Sequence, residues 1–142
     1  MNKFLIITGG SSGIGFACAK LFKENDYQVI NLSRSEIILS EAIHLQVDLS
    51  SEGWSGHVEM KFSSLLQEAD EITLIHNASK MQSDNVENIN LNDLRDVFEV
   101  NLVAPLILNK ITIPYMKKGS SILYVGSTLS EKAVPQMSSY AT

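Results

Sequence analysis

The sequence has few of the features that mark secreted, membrane-bound or nucleic-acid-binding proteins. It contains one cysteine, Cys18, so no internal disulfide can form, and a reducing compartment, the cytoplasm, is predicted. The formal net charge is −5 and the lysines and arginines form no run, which argues against nucleic acid or an anionic membrane surface as a partner. The apolar run Phe4–Ile7 is too short for a signal peptide, and no uninterrupted apolar stretch is long enough to span a bilayer.

Metal-binding patterns are also missing. The three histidines, His44, His57 and His76, lie far apart and have no ligand spacing, so no metal site is predicted. What the chain does have is apolar residues, 44% of 142, which is enough for a sizeable core. We therefore expect one globular domain over residues 1–142.

Short apolar runs alternate with helix-length segments, which is typical of β-α units around a parallel sheet. This predicts an α/β fold of three layers, a Rossmann-type doubly wound parallel sheet of about five strands in the order 3-2-1-4-5. The link Ser35–Ile43 is too short for a full crossover helix, so it should hold a turn or two of helix, or a loop. Strands are predicted at Phe4–Thr8, Gln28–Leu32, His44–Val47, Ile72–His76 and Ser121–Val125, and helices at Gly13–Asn25, His57–Glu68 and Asn92–Lys117.

A glycine-rich loop lies between the first strand and the first helix. It reads Thr8-Gly9-Gly10-Ser11-Ser12-Gly13-Ile14-Gly15. Gly9 lets the chain turn sharply off the strand, while Gly13 and Gly15 allow a diphosphate to approach the backbone and the helix to pack closely on the sheet. Free N–H groups at the start of the helix then face the phosphates. This context predicts a dinucleotide site, and the loop lacks the Gly-Lys-Ser/Thr ending of a P-loop.

This loop resembles the cofactor loop of the short-chain dehydrogenases/reductases, and four later landmarks in the sequence resemble other segments of the same family. The resemblance covers Thr8 to Thr142. It implies that Asp48 and Leu49 contact the adenine, that Asn77, Ala78 and Ser79 line the cofactor site, and that Ser11, Ser12 and Ile14 belong to the phosphate loop. The landmarks are Asp48-Leu49, His76-Asn77-Ala78-Ser79, Asn101, and Ser127 with Tyr140 thirteen residues later.

The end of the second strand favours NADP over NAD. A carboxylate there would accept hydrogen bonds from the ribose 2′-hydroxyl of NAD, whereas this sequence has Ser33-Arg34. The guanidinium of Arg34 matches a 2′-phosphate and Ser33 can add a hydroxyl donor. A second marker of NADP in the family, a basic residue before the middle glycine, is replaced by Ser12. NADP is the expected cofactor, and NAD is the less favoured alternative.

The resemblance also implies the catalytic roles. Tyr140 would be the general acid that protonates the substrate oxygen, Ser127 would hydrogen-bond that oxygen, and Asn101 would hold a relay water with its backbone carbonyl. The sequence independently supports the last role, because Pro105 has no N–H to donate to the carbonyl four residues earlier, that of Asn101. A kink in the long helix should therefore free this oxygen.

The family's tyrosine is followed by a lysine four residues later, and that position lies beyond Thr142. The chain is therefore expected to be a C-terminally truncated portion of such an enzyme, with impaired acid–base catalysis. The expected reaction is NADP-dependent reduction of a ketone or 3-oxoacyl group, or oxidation of the alcohol. The alternative is a non-catalytic dinucleotide-binding fragment or sensor. An extended-type nucleotide-sugar epimerase is disfavoured by the glycine spacing.

The apolar pattern also predicts which faces of two helices are buried. The first helix should turn Ile14, Ala17, Cys18, Leu21 and Phe22 inward. The helix 92–117 is apolar nearly all round, so it should be buried on both sides, by the sheet and by a second copy of the chain. A homo-oligomer through this helix is therefore predicted.

Overall fold

The computed structural model describes all 142 residues and contains one sheet of five parallel strands. The sheet order is β3-β2-β1-β4-β5, as predicted. The central strand pairs with both neighbours in matching register, with Ile6 beside Ile30 on one side and Leu74 on the other. The strands are β1 Lys3–Thr8, β2 Tyr27–Ser33, β3 Ile43–Gln46, β4 Glu71–His76 and β5 Ser121–Tyr124.

Helices cover both faces of this sheet. Helix α1 spans Gly13–Glu24 and α2 spans Trp54–Leu65. The connection from β2 to β3 contains no helix, so the loop alternative is the correct one. A long continuous helix, Leu91–Tyr115, consists of α3 (Leu91–Phe98), a π-helical segment (Glu99–Val103), α4 (Ala104–Thr112) and a 3-10 turn (Ile113–Tyr115). After β5 come a 3-10 turn, Thr128–Ser130, and the short helix α5, Ser138–Ala141.

The apolar core has two parts, one on each face of the sheet, because the central strands are apolar on both sides. The smaller part joins Leu5 and Val29 to Ala19 of α1. The larger part joins strand residues such as Ile6 and Leu74 to α2 and the long helix, whose buried members are Val58, Phe62, Ala104, Leu108 and Ile111. Three layers result, and the carboxyl ends of all five strands meet at one edge.

The predicted inward face of α1 is partly wrong. The structure buries Gly15 and Ala19, whereas Ala17 is exposed and Ile14 and Leu21 are 65% and 57% exposed. Small residues at these two positions let the helix backbone approach the sheet closely, and this close contact sets the rotation of the helix. Phe16, Cys18 and Phe22 pack at the side of the contact, partly buried.

The long helix changes pitch where the sequence predicts an interruption. The N–H of Ala104 donates to the carbonyl of Glu99, five residues earlier, so Glu99–Val103 forms a π turn just before Pro105. Such turns often occur at functional sites. Asn101 lies in the middle of this segment. The proline thus coincides with a wider turn around the residue that the resemblance assigns to a proton relay.

Burial of the long helix is one-sided in the single chain: the sheet side is covered as predicted, and cover of the other side by a second copy stays a prediction. Leu102, Leu106 and Ile113 are 56%, 66% and 54% exposed. By length and composition alone, Leu91–Tyr115 could also cross a membrane, contrary to the expectation from uninterrupted apolar runs. This is weak evidence, because a helix packed in a core passes the same test, and Leu108 is fully buried against the sheet side.

Candidate functional site

A cleft of about 620 Å³ opens at the carboxyl edge of the sheet. The ends of β1, β2, β3 and β4 meet there, and this is the edge at which open α/β sheets bind ligands. Most of the predicted cofactor residues line it, while Gly13, Ile14 and Gly15 form the adjoining start of α1. The lining residues include Gly9, Ser11, Ser12, Ser33, Arg34, Asp48, Leu49, Asn77, Ala78, Ser79 and Lys80.

The glycine loop is held against the sheet by contacts that only glycine permits. Gly9 has a left-handed φ of +67°, and its N–H donates to the carbonyl of Leu32 at 2.9 Å. A Cβ on Gly15 would collide with the carbonyl oxygen of Gly9 and with Nδ2 of Asn77. Gly13, with a φ of +54°, faces open space. No side chain caps α1 at Ser12, so the N–H groups of its first turn have no side-chain partner.

Asn77 and Thr8 fasten the end of β4 to this loop. The backbone N–H groups of Asn77 and Ala78 both donate to Oγ1 of Thr8 at 3.0 Å. Nδ2 of Asn77 donates to the carbonyls of Thr8 and Gly9 at 3.1 and 3.0 Å. The wall made by Asn77, Ala78 and Ser79 is thereby fixed relative to the glycine loop. The role of Thr8 was not anticipated from the sequence.

Asn31 is a second residue that sequence reasoning missed. It lies in β2, it is fully buried, and its Oδ1 accepts a hydrogen bond from the N–H of Gly10 at 2.8 Å. The available signal was a lone amide inside the apolar strand Val29–Leu32. Such a buried polar group requires hydrogen-bond partners.

The end of β2 presents one free cation to the cleft. The Ser33 hydroxyl donates to the carbonyl of Ser35 at 2.6 Å and accepts from Asn31, so its proton is already used and it is not the free donor expected. Arg34 is exposed and belongs to none of the ion pairs of the chain. Its guanidinium therefore remains available to an anion.

Asp48 follows β3 on the same edge of the cleft. Its Oδ1 accepts from the hydroxyl and the N–H of Ser50 at 2.7 and 3.0 Å. These hydrogen bonds hold the pKa of Asp48 below its ordinary value, with smaller help from the charges of Arg34 and Lys80, although partial burial opposes the shift. The carboxylate is therefore ionised at neutral pH and can accept a further hydrogen bond, as an adenine contact requires.

Asn101 joins the long helix to the wall of the cleft. Its side-chain oxygen accepts from the N–H of Lys80 at 2.8 Å, and its Nδ2 donates to the carbonyl of Lys80 at 2.9 Å. Nζ of Lys80 pairs with Asp96 at 2.6 Å. The side-chain amide of Asn101 is thus engaged with Lys80, and the relay that the resemblance assigns to the backbone carbonyl of Asn101 stays a prediction.

Ser127 and Tyr140 lie outside the residues that line the cleft. Ser127 follows β5, is exposed, and accepts a hydrogen bond from the N–H of Leu129 at 3.2 Å. Tyr140 is half-buried in α5, next to a segment that Asp84 holds through three hydrogen bonds. The structure gathers the predicted cofactor residues in one cleft, but it does not join Ser127 and Tyr140 by a hydrogen bond.

His76 marks the end of β4 behind this wall. It is buried, its Nε2 lies 2.8 Å from Oδ1 of Asn109, and its ring stacks on Tyr124 with centroids 4.5 Å apart. Burial lowers the pKa of His76, and the contact with Asn109 opposes the shift in part. The ring is therefore neutral at physiological pH and acts here as a packing group.

Comparisons with known proteins agree with this geometry. The short chain dehydrogenase family model matches residues 3–142. An uncharacterised oxidoreductase of Bacillus subtilis is 28% identical over 99% of this chain and 53% of its own length. Carbonyl reductase family member 4 of Xenopus laevis is 28% identical over 93% of this chain and 59% of its own length. The chain therefore spans between half and three fifths of the curated relatives it matches.

A solved structure shares both fold and sequence with the chain. 4-Hydroxyisoleucine dehydrogenase complexed with NADH superimposes with a TM-score of 0.81 at 31% identity, covering 99% of this chain and 62% of that one. The glycine loop, the strand order and the family match all lead to the same assignment. The chain belongs to the short-chain dehydrogenase family.

Proposed function

We propose that the chain forms the cofactor-binding part of an NADP-dependent oxidoreductase. The substrate would be a small ketone or 3-oxoacyl compound, or the corresponding alcohol in the reverse direction. The single observation that carries the proposal is the unpaired Arg34 in the lining of a cleft that the glycine loop also lines. A guanidinium at the end of β2 suits a 2′-phosphate, where a carboxylate would suit a 2′-hydroxyl.

The residues present fit a dinucleotide. A Cβ on Gly13 would meet nothing within 4 Å, so the loop backbone at the start of α1 is not covered by other residues and could be approached by a diphosphate. The uncapped start of α1 offers N–H groups and a positive helix end to the same group. Asp48 and Leu49 line the same cleft and would contact the adenine. Together these groups would hold the nucleotide along the carboxyl edge of the sheet.

The catalytic proposal rests on the family resemblance. A bound nicotinamide would supply or accept the hydride. Tyr140 would donate a proton to the substrate oxygen in reduction and take it back in oxidation, and Ser127 would hydrogen-bond the same oxygen. Asn101 would hold a water at its backbone carbonyl, which the π turn around it and the occupied side chain both support.

Separate titrations with NADPH and NADH, followed by fluorescence, test the cofactor part. We expect tighter binding of NADPH, and Arg34→Glu should remove most of that preference, because a charge-assisted contact is replaced by repulsion. Arg95→Glu is the matched control, since Arg95 is an arginine of α3 with no ion pair and does not line the cleft. Equal affinity of the unaltered chain for both nucleotides would refute NADP selectivity.

The second candidate is a dinucleotide-binding protein without turnover. The position of Ser127 and Tyr140 outside the cleft lining favours it. NAD is the alternative cofactor, and the complex of 4-hydroxyisoleucine dehydrogenase with NADH favours that choice. Oxidation of NADPH in the presence of a panel of ketones and 3-oxoacyl thioesters separates an enzyme from a sensor, since a sensor binds the nucleotide without consuming it.

Association with a second copy belongs to the same proposal. The exposed apolar residues Leu102, Leu106 and Ile113 form a stripe on the outer side of the long helix. Such a stripe on a folded surface favours contact with another apolar surface. A second long helix provides one, so the proposed assembly is a homo-oligomer.

A further inference from the structure

A single buried amide connects the glycine loop to the turn after β2, and both of these segments line the cleft. Asn31 lies in β2 beside Ile7 of β1, with no exposed surface, and it does not line the cleft. Its oxygen accepts from the N–H of Gly10 at 2.8 Å. Its nitrogen donates to Oγ of Ser33 at 2.8 Å and lies 3.1 Å from Nδ1 of His44.

The orientation of this amide is determined by its partners. The N–H of Gly10 can only donate, so the oxygen of Asn31 must face it, and the NH₂ group must face Ser33 and His44. Nδ1 of His44 is then the acceptor. Ser33 in turn donates its own proton to the carbonyl of Ser35 at 2.6 Å, which completes a chain of hydrogen bonds from the glycine loop to the turn that carries Arg34.

The backbone of Gly10 packs directly against the side-chain amide of Asn31. A Cβ on Gly10 would lie 2.6 Å from Oδ1 of Asn31 and 3.0 Å from the side chain of Ile7. Gly10 has no left-handed φ, so the requirement for glycine there is steric and comes from Asn31 and Ile7. The position of the loop backbone therefore depends on the amide behind it.

From these contacts we propose that Asn31 is a positioning residue for the cofactor. It couples the glycine loop, which would bind the diphosphate, to the turn that carries Arg34, which would bind the 2′-phosphate. The inference rests on the proposed NADP site. One branch, through Gly10, affects the phosphates that NAD and NADP share. The other branch, through Ser33, affects the placement of Arg34 and therefore the affinity for the 2′-phosphate alone.

The two branches give different signatures in calorimetric titrations of the chain with NADP⁺ and NAD⁺. Asn31→Ala breaks both branches, so the Kd for NAD⁺ should rise about three- to tenfold, and the preference for NADP⁺ should fall by a further three- to tenfold. Ser33→Ala breaks one branch. It should leave the Kd for NAD⁺ within about twofold and lower only the preference.

The double variant tests the coupling itself. If Asn31 acts on the 2′-phosphate through Ser33, the double variant should lose no more of the preference for NADP⁺ than Asn31→Ala alone, because both changes break the same chain. Ile72→Val is the control for general destabilisation, since Ile72 is fully buried in β4 and does not line the cleft. It should leave both Kd values within about twofold.

The outcomes separate this inference from the proposed function. If the unaltered chain prefers NADP⁺ and Asn31→Ala keeps that preference, the positioning role is wrong and the NADP site stands. The positioning role is also wrong if the effects of Asn31→Ala and Ser33→Ala on the preference add fully, because Ser33 would then contact the 2′-phosphate directly. A chain that does not prefer NADP⁺ overturns both the NADP site and the coupling.

Discussion

Oδ1 of Asp84 accepts a hydrogen bond of 2.9 Å from the backbone N–H of Ser139, a residue 55 positions later in the chain. The backbone of Asp84 adds two more bonds to the same segment, from its N–H to the carbonyl of Gln136 and from the N–H of Ser138 to its carbonyl. The carboxylate is buried, and Tyr140 is the next residue after Ser139. Asp84 therefore fixes the start of α5 and, with it, the position of the predicted catalytic tyrosine.

This contact predicts a difference between two substitutions at one site. Asp84→Ala leaves the N–H of Ser139 buried without a partner, so the free energy of unfolding should fall by about 1–3 kcal/mol. Asp84→Asn keeps an acceptor and should cost less. Urea denaturation measures the stability, and hydrogen exchange at Ser138 and Ser139 should accelerate in Asp84→Ala before global unfolding. Glu52→Ala, at an exposed loop residue, is the control. Equal losses in Asp84→Ala and Glu52→Ala would contradict the prediction.

The stability of the chain should fall between neutral and mildly acidic pH because of His76. Burial lowers its pKa in the folded state below the 6.5 of the unfolded chain. The full stability is therefore present above pH 6.5, and it is lost as the pH falls from 6.5 through the folded pKa, since only the unfolded state takes up the proton. The pKa values of Asp48 and Glu41 are also lowered in the folded state. The stability that these two carboxylates contribute is lost only at more acidic pH, below about 4.5.

Melting temperatures measured between pH 7.5 and pH 5.5 check this. The unaltered chain should lose more stability over this interval than His76→Asn, whose side chain does not titrate. Parallel pH profiles for the two chains would show that the imidazole of His76 is not the group responsible.

Two glycines at the same position in their helices should respond in opposite ways. Gly15 is the third residue of α1, and a Cβ there would collide with the carbonyl of Gly9 and with Asn77. Gly56 is the third residue of α2, and a Cβ there would meet nothing within 4 Å. Gly15→Ala should therefore cost about 1–3 kcal/mol and weaken nucleotide binding, while Gly56→Ala should stabilise by about 0.5–1 kcal/mol.

Thermal and urea unfolding, together with an NADPH titration, measure both effects. The control is built into the pair, because each change adds the same methyl group near the start of a helix. A Gly15→Ala chain as stable as the Gly56→Ala chain would mean that α1 can move away from the loop at little cost.

Features of the fold and of the candidate site could be predicted from the sequence where residues close together in the chain determine them. The glycine loop, the strand order and the cleft residues follow from local motifs, because the carboxyl ends of parallel strands meet at one edge. The rotation of α1 could not be predicted from its periodicity, since it is set by the contact of Gly15 with Asn77, far along the chain. Asn31 and Asp84 were missed for the same reason. Their partners are backbone N–H groups of distant segments, and these leave no trace in a motif.

The π turn in the long helix could be predicted from the sequence only in part. The missing N–H of Pro105 predicts that the helix must change near Asn101, but the proline alone does not determine whether it kinks or widens. The structure widens it over Glu99–Val103. The exposed stripe on the same helix was likewise only half predictable, because the sequence shows that both sides are apolar and not which side the sheet covers.

That stripe leads to a prediction about assembly. Leu106 is 66% exposed at its centre, between Leu102 and Ile113. If two long helices pack through the stripe, light scattering should detect a species larger than the monomer. Leu106→Glu should shift it towards the monomer, because the carboxylate would lose water on burial without gaining a partner.

Ile38→Glu is the matched control. Ile38 is 89% exposed in the β2–β3 loop, so this substitution introduces the same charge away from the long helix. It should leave the molecular mass unchanged. Both variants should keep the melting temperature of the unaltered chain at low protein concentration, where association contributes little. If the unaltered chain is monomeric at every concentration tested, or if Ile38→Glu dissociates it as effectively as Leu106→Glu, the long helix is not the contact surface.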